Sequence, residues 1–193
     1  MYVDVAGAYC KKYLPIFEHP ELRMMMRIFA STEANHIDAY SKLIETLGFP
    51  ESTYSKFLEY KDMADKHNYL WDSQDLGDPE KNIAFDIAKF SAFSEGLQLY
   101  SSFAILKSFE LVNKMKGMAQ IVTWSVKDES VHVEGMIKIF NTICNENPHV
   151  LDEDFKQRLY NLARKMVELE FNFIDMAFKR VLKNGEYIDV DIS

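Results

Sequence analysis

Two segments of this chain, "STEANHIDAY" at 31–40 and "KDESVHVEG" at 127–135, each place a histidine three residues after a glutamate: Glu33 with His36, and Glu129 with His132. Each pair lies within a long stretch whose apolar residues recur at helical spacing. Residues three apart on an α-helix lie within about 60° of one another, so both members of a pair can touch one ion. With 16 Glu and five His in 193 residues, chance supplies fewer than one such pair. An amphipathic helix turns its apolar neighbours inward, and a Glu or His carried in with them needs a partner, because burying a charge or an unpaired polar group is costly. Either both pairs stay on solvated helix faces, or the fold must bring them to something they can bind.

The helices are well punctuated. "EHPELRMMMRIFASTEANHIDAYSKLIETLG" has Pro20 at a first helical position and Gly48 just past the end, with Met24, Ile28, Ala39, Leu43 and Leu47 at helical spacing between them. "FPESTYSKFLEYKDMADKHNYLW" reads as a second, more polar helix. Asp78 as N-cap and Pro79 as first residue open a long stretch to about Met115, with Gly117 as its stop and an internal break that the sequence does not place. Further helices are expected over Ala119 to Asn145 and Asp152 to Leu182, and Val3 to Leu14 reads as the end of one more. No run of alternating apolar and polar residues proposes a sheet. The expectation is an all-α bundle of about six helices in one domain spanning 1–193.

Composition excludes several classes. The formal net charge of −8, with no basic stripe, argues against nucleic acid as a partner. Two cysteines, Cys10 and Cys144, imply no disulfide scaffold. No stretch is apolar for long enough to span a bilayer and the N-terminus lacks a signal-peptide pattern, so a cytoplasmic protein is expected. His19, His67 and His149 fall near helix ends or loops and read as surface residues. "MMM" at 24–26 reads as filler, and the acidic run at 151–155 as a helix N-terminus, where negative charge is favourable.

Between the two pairs lies "KFSAFSEGLQLYSSFAIL", in which Glu95 is the sole acidic residue. Helical bundles that hold two bridged irons or manganese ions use two Glu-x-x-His helices and a single carboxylate from each of two others. This chain offers both paired helices and one single carboxylate.

On these residues the chain resembles the small, radical-generating subunit of class I ribonucleotide reductase. The resemblance runs through "FASTEANHIDAYSKLIETLGFPESTYSKFLEYKDMADKH", "SEGLQLYSSFAIL" and "IVTWSVKDESVHVEGM", and includes the 34-residue step from Glu95 to Glu129 and a tyrosine four residues after the first histidine. It implies a ferritin-like fold in which Glu33 and His36 bind one metal, Glu95 and Glu129 bridge or bind the second, and His132 completes it. It further implies that Tyr40 is oxidised to a tyrosyl radical and that Asp128 orients His36. Leu99 and Phe103 would keep the radical dry. Two iron ions are implied, with manganese in one or both places equally compatible with these ligands. A homodimer and a large catalytic subunit are the implied partners.

The chain departs from the family at one ligand. The family's acidic residue 31 positions before the first glutamate falls on Tyr2, and the same helical face continues through Val5, Ala6, Tyr9 and Tyr13 without a carboxylate; Asp4 points about 200° away. Water, a phenol or a rearranged terminus would have to stand in. The family's N-terminal tryptophan segment and C-terminal docking tail also have no counterpart in the 193 residues, and Tyr187 is not assigned the tail tyrosine's role. The chain is therefore expected to be the metal-binding core alone, incomplete for turnover. Two other readings stay open: a stand-alone dimetal oxidase or oxygenase, and a degenerate, non-catalytic homologue.

Overall fold

A computed structural model describes residues 5–179, 181–183 and 186–188. The described chain is a helical bundle: α1 (Val5–Ala8), α2 (Pro20–Thr46), α3 (Lys61–Trp71), α4 (Pro79–Ile87), α5 (Tyr100–Ser108), α6 (Lys116–Glu146) and α7 (Glu153–Lys179). A π-helical turn, Tyr9–Tyr13, extends α1, and a longer π-helical segment, Ala88–Gln98, joins α4 to α5. A two-stranded antiparallel hairpin follows α7, β1 (Val181–Lys183) with β2 (Glu186–Ile188).

The helices bury stripes set by the 3.6-residue period. Along α2 the buried residues are Met26, Phe29, Ala30, Glu33 and His36; along α6 they run from Met118 through Val122, Ser125, Glu129, His132 and Met136 to Ile139. Each Glu/His pair thus continues an apolar stripe into the interior. The helix α6 packs on α2, α4, α5 and the longer π segment, while α7 packs on α3 and the same π segment. Where α2 approaches α6, Gly135 makes room: a Cβ there would stand 3.0 Å from Phe29 Cζ. Phe29 in turn lies against the His132 ring, 4.3 Å between centroids.

One core cluster gathers Tyr9, Tyr13, Phe29, Ile87, Phe90 and Met136; a second gathers Phe85, Val150, Phe155, Leu162 and Met166; a third holds Leu99, Phe103 and Val122. Burying each such side chain contributes on the order of 1.5–3 kcal/mol. The far end of the longer π segment is pinned by a buried ion pair. Lys66 Nζ donates to Glu170 Oε2 at 2.5 Å and to the Gln98 carbonyl at 3.1 Å, and Gln98 Nε2 donates to the Met166 carbonyl.

Capping matches the sequence at Asp78, whose side chain accepts from Lys81 N at 2.9 Å; Asp152, expected as the first residue of the last helix, instead precedes it and accepts from Phe155 N at 2.8 Å. Several boundaries differ. The stretch expected as one polar helix from Phe49 begins as two 3-10 turns, Glu51–Tyr54 and Lys56–Glu59, and becomes α-helical at Lys61. Ser55 Oγ bonds back to the Ser52 carbonyl, one of the local side-chain bonds with which serine competes against a helix. The long stretch from Pro79 stops not at Gly117, which lies inside α6, but at Asn113 and Met115, both with left-handed backbones (φ 61° and 50°). Asn tolerates that conformation well, because its short polar side chain bonds locally. Helix α7 ends at Lys179, short of Leu182, which pairs with Tyr187 in the hairpin. Tyr2 and Asp4 lie outside the described residues.

Candidate metal centre

Glu33 and His36 on α2, Glu95 on the longer π segment, and Glu129 and His132 on α6 converge, each at least nine-tenths buried. One donor atom from each of Glu33, Glu95, Glu129 and His132 falls within 4.8 Å of the others. His36 adjoins them through Nδ1, 3.6 Å from Glu33 Oε2 and 3.5 Å from Glu129 Oε1. On the other side His132 Nδ1 lies 3.1 Å from Glu33 Oε1, 3.5 Å from Glu129 Oε2 and 3.9 Å from Glu95 Oε1. Glu33 and Glu129 each therefore turn one oxygen toward each histidine. Glu95 approaches His132. Two donor sets result, sharing two carboxylates.

Of the two glutamates expected to bridge or bind the second ion, Glu129 spans both sides and Glu95 serves one; Glu33, expected on one side, spans both. A small cavity of about 20 Å³ lies among Glu33, Glu95, Glu129, Leu70, Phe90 and Leu99, about the volume that one water-sized sphere needs.

The residues fit a pair of metal ions. Glu33 Oε1, Glu129 Oε2, His36 Nδ1 and His132 Nδ1 are buried without a well-directed hydrogen bond, and all four face the same interior. Buried polar atoms are normally satisfied, so four orphans at one point mark a missing partner with several acceptor-facing bonds to make. Carboxylate oxygen and imidazole nitrogen are donors that suit iron and manganese.

The charges compensate one another through protons. Burial disfavours charge on both histidines, yet the carboxylates outweigh it: Glu129 and Glu33 raise His36 to about 10 and His132 to about 9. Burial, then the charge of Glu129, pushes Glu95 to about 8. Burial also pushes Glu33 upward, but the approach of His132 and His36 leaves it below the ordinary carboxylate value.

Around this cluster stand the other residues that the sequence singled out. His36 Nε2 lies 3.1 Å from Asp128 Oδ2, a bond the imidazole donates and the carboxylate accepts. Tyr40 is half-buried with its hydroxyl 3.2 Å from Ser125 Oγ; burial raises its pKa, Ser125 opposes this, and Glu129 adds to it. Leu99 and Phe103 are buried together with Val122. His19 and His149 are exposed, His149 beside Asp78, whereas His67 is half-buried near Trp71.

Two neighbours were not among the sequence candidates. Ser125 carries a signal in retrospect, a small polar residue one turn before Glu129 on the buried stripe. Tyr9 is fully buried, its hydroxyl donating to Glu95 Oε1 at 2.7 Å and Oε2 at 2.9 Å. Its signal was its place on the face that lacks a carboxylate.

The chain is similar to known proteins over most of its length. It is 49% identical over 198 residues to a probable ribonucleoside-diphosphate reductase small subunit of Invertebrate iridescent virus 6, covering 92% of this chain and 54% of the relative. A probable small subunit of Invertebrate iridescent virus 3 is 42% identical over 91% of this chain and 51% of its own length. A ribonucleoside-diphosphate reductase subunit beta of Chlamydia pneumoniae is 28% identical, over 91% and 56%. The chain thus spans about half the length of the curated relatives it matches. The family model described as "Ribonucleotide reductase, small chain" matches residues 3–190. With the match running through the ferritin-like bundle and both Glu-x-x-His helices, this chain belongs to the ribonucleotide reductase small-chain family.

Proposed function

We propose that this chain is the dimetal core of a ribonucleotide reductase small subunit. In the complete protein it would generate a tyrosyl radical that a large subunit uses to reduce ribonucleotides to deoxyribonucleotides. The observation that carries this reading is the double reach of Glu33 and Glu129, each offering one oxygen to the side of His36 and one to the side of His132. Glu33, His36 and Glu129 would hold one ion; Glu33, Glu129, Glu95 and His132 would hold the other. Two irons there, or manganese in either place, would supply the reaction with oxygen that oxidises a nearby side chain.

The remaining roles belong to the chain itself. Asp128 fixes the ring of His36 so that Nδ1 points inward, as carboxylates behind ligating histidines do. Tyr40 would give up one electron and its phenolic proton to the oxygen being reduced, and Ser125 Oγ is placed to hydrogen-bond the phenoxyl oxygen that remains. Leu99, Phe103 and Val122 exclude water.

The partners in this reading are a second copy of the chain and the large subunit. Exposed Met24 and Ile28 on α2, and Trp124 and Val131 on α6, offer apolar surface for such contacts. No described helix is long and apolar enough to cross a membrane. The free thiols Cys10 and Cys144 suit the cytoplasm we assign. The deciding experiment is metal stoichiometry after anaerobic loading with ferrous iron and removal of the excess. Two irons per chain are expected; one or none would leave a bundle without the chemistry.

A further inference from the structure

We propose that Tyr9 is a working member of the metal centre, a positioning residue whose hydroxyl holds the Glu95 carboxylate in place for the ion on the His132 side. The proposal rests on the dimetal reading above and adds a residue to it.

Glu95 differs from the other two glutamates. Glu33 and Glu129 each face two histidines from opposite sides, at 3.1 to 3.6 Å. Glu95 has a single imidazole nearby, at 3.9 Å, too far to orient it. Its orientation comes instead from Tyr9, which donates to both carboxylate oxygens and is completely buried. The phenol is itself held rigidly: its ring makes edge contacts with Phe29, Phe90 and His132 at 5.5, 6.0 and 5.7 Å.

Both partners sit on π-helical segments, Tyr9 opening Tyr9–Tyr13 and Glu95 within Ala88–Gln98. Such widened turns recur at functional sites because they re-aim side chains that a regular helix would direct elsewhere. Tyr13, four residues on and equally buried, bonds a main-chain carbonyl, that of Asp86, and does not touch the cluster. Of these two interior phenols, only Tyr9 is committed to a carboxylate of the centre.

The test is anaerobic titration with manganese(II) alone, reading bound ions per chain and their affinities by EPR of the free ion. Wild type should bind two ions. Tyr9→Phe keeps the ring and loses the hydroxyl; it should weaken one of the two sites by about 10–100-fold, the usual loss when a partner behind a ligand is removed, and leave the other unchanged. Tyr13→Phe should bind like wild type. In a Glu95→Gln background, Tyr9→Phe should have little further effect, a coupling that a purely structural role for Tyr9 would not produce. If Tyr9→Phe does not fold, Tyr9→Met provides the same comparison without a hydroxyl.

Equal affinities in Tyr9→Phe and wild type would overturn the proposal while leaving the dimetal reading intact, and so would tighter binding in Tyr9→Phe. Wild type that binds no manganese would remove both. A strong visible absorption on ferric loading that vanishes in Tyr9→Phe would overturn the positioning role in favour of direct ligation.

Discussion

His36 stands between Asp128 and the glutamates, its Nε2 3.1 Å from Asp128 Oδ2 and its Nδ1 facing Glu33 and Glu129 at 3.6 and 3.5 Å. One ring nitrogen is committed to a partly exposed carboxylate, so the other is fixed as the inward donor. Asp128→Asn keeps the shape and weakens this hold. We expect metal affinity on the His36 side to fall by about 10–100-fold, with thermal stability nearly unchanged because Asp128 is partly in solvent. An isotherm identical to wild type would show that packing alone orients the ring.

Glu95→Gln tests the interior carboxylate. Burial pushes Glu95 to about 8, so at neutral pH and without metal the neutral form is favoured, and glutamine imitates it. The metal-free variant should therefore unfold at or above the wild-type denaturant midpoint while losing metal on the His132 side. Full retention of two ions per chain would make Glu95 a structural residue.

Tyr40→Phe should leave metal content unchanged and abolish the radical signal that oxygen produces in the loaded protein. An unchanged signal would assign the radical elsewhere. Ser125→Ala is the finer probe: the radical should persist but lose its hydrogen bond, seen by high-field EPR as a rise in the largest g value. Stability should fall by only about 0.5–1.5 kcal/mol, the net worth of one hydrogen bond.

The metal-free protein should lose stability as pH rises. His36 and His132, at about 10 and 9, lie above the ordinary histidine value of 6.5, and Glu95, at about 8, lies above the ordinary carboxyl value of 4.5. Each binds more protons folded than unfolded, so its contribution is complete below the unfolded value and is lost as pH climbs through the folded one. The decline is steepest between 6.5 and about 8, where all three act together. Glu33, held low, has the opposite sign: its contribution is present above the ordinary value and is lost as pH falls. Urea midpoints across this range, with chelator present, should show the loss. Metal loading should flatten the curve, because ligation expels the same protons; a flat curve without metal would contradict the charge arrangement.

Lys66→Met should be costly. It would leave Glu170 buried without its cation, a loss of about 3–5 kcal/mol, and would release the Gln98 carbonyl at the end of the π segment. The double variant Lys66→Met, Glu170→Leu should recover most of that stability, since no charge is then left unpaired. If the double variant is as unstable as the single one, the cost lies in the backbone cap and not in the ion pair.

Helices α2 and α6 were legible because their signals are local. Helical spacing, Pro20 at one start and a Glu-x-x-His pair on each helix can be read without knowing what the helix packs against. Which face is buried cannot: along α2 it is that of Met26, Phe29 and Ala30, while Met24, Ile28 and Leu47 of the stripe read from the sequence are exposed. The break between Pro79 and Met115 could not be placed in the same way. The π-helical segment lies where Lys66, Met166 and Tyr9 meet it, residues far away in the chain whose demands are invisible in the segment's own pattern. The 3-10 turns before α3 were missed for a smaller reason, local serine bonding that competes with a helix.

The sequence by itself determined that two helices would each carry a Glu and a His on one face, because side-chain period is a property of a single helix; that both faces are buried was decided by packing. It also determined the family, through the spacing of those pairs from Glu95 and Tyr40. Only the tertiary structure decided that Glu33 and Glu129 reach both histidines while Glu95 reaches one, and that the phenol of Tyr9, 86 residues away in the chain, meets Glu95. A buried charge must find its partner wherever the fold brings one, and that choice belongs to the packing of helices against one another.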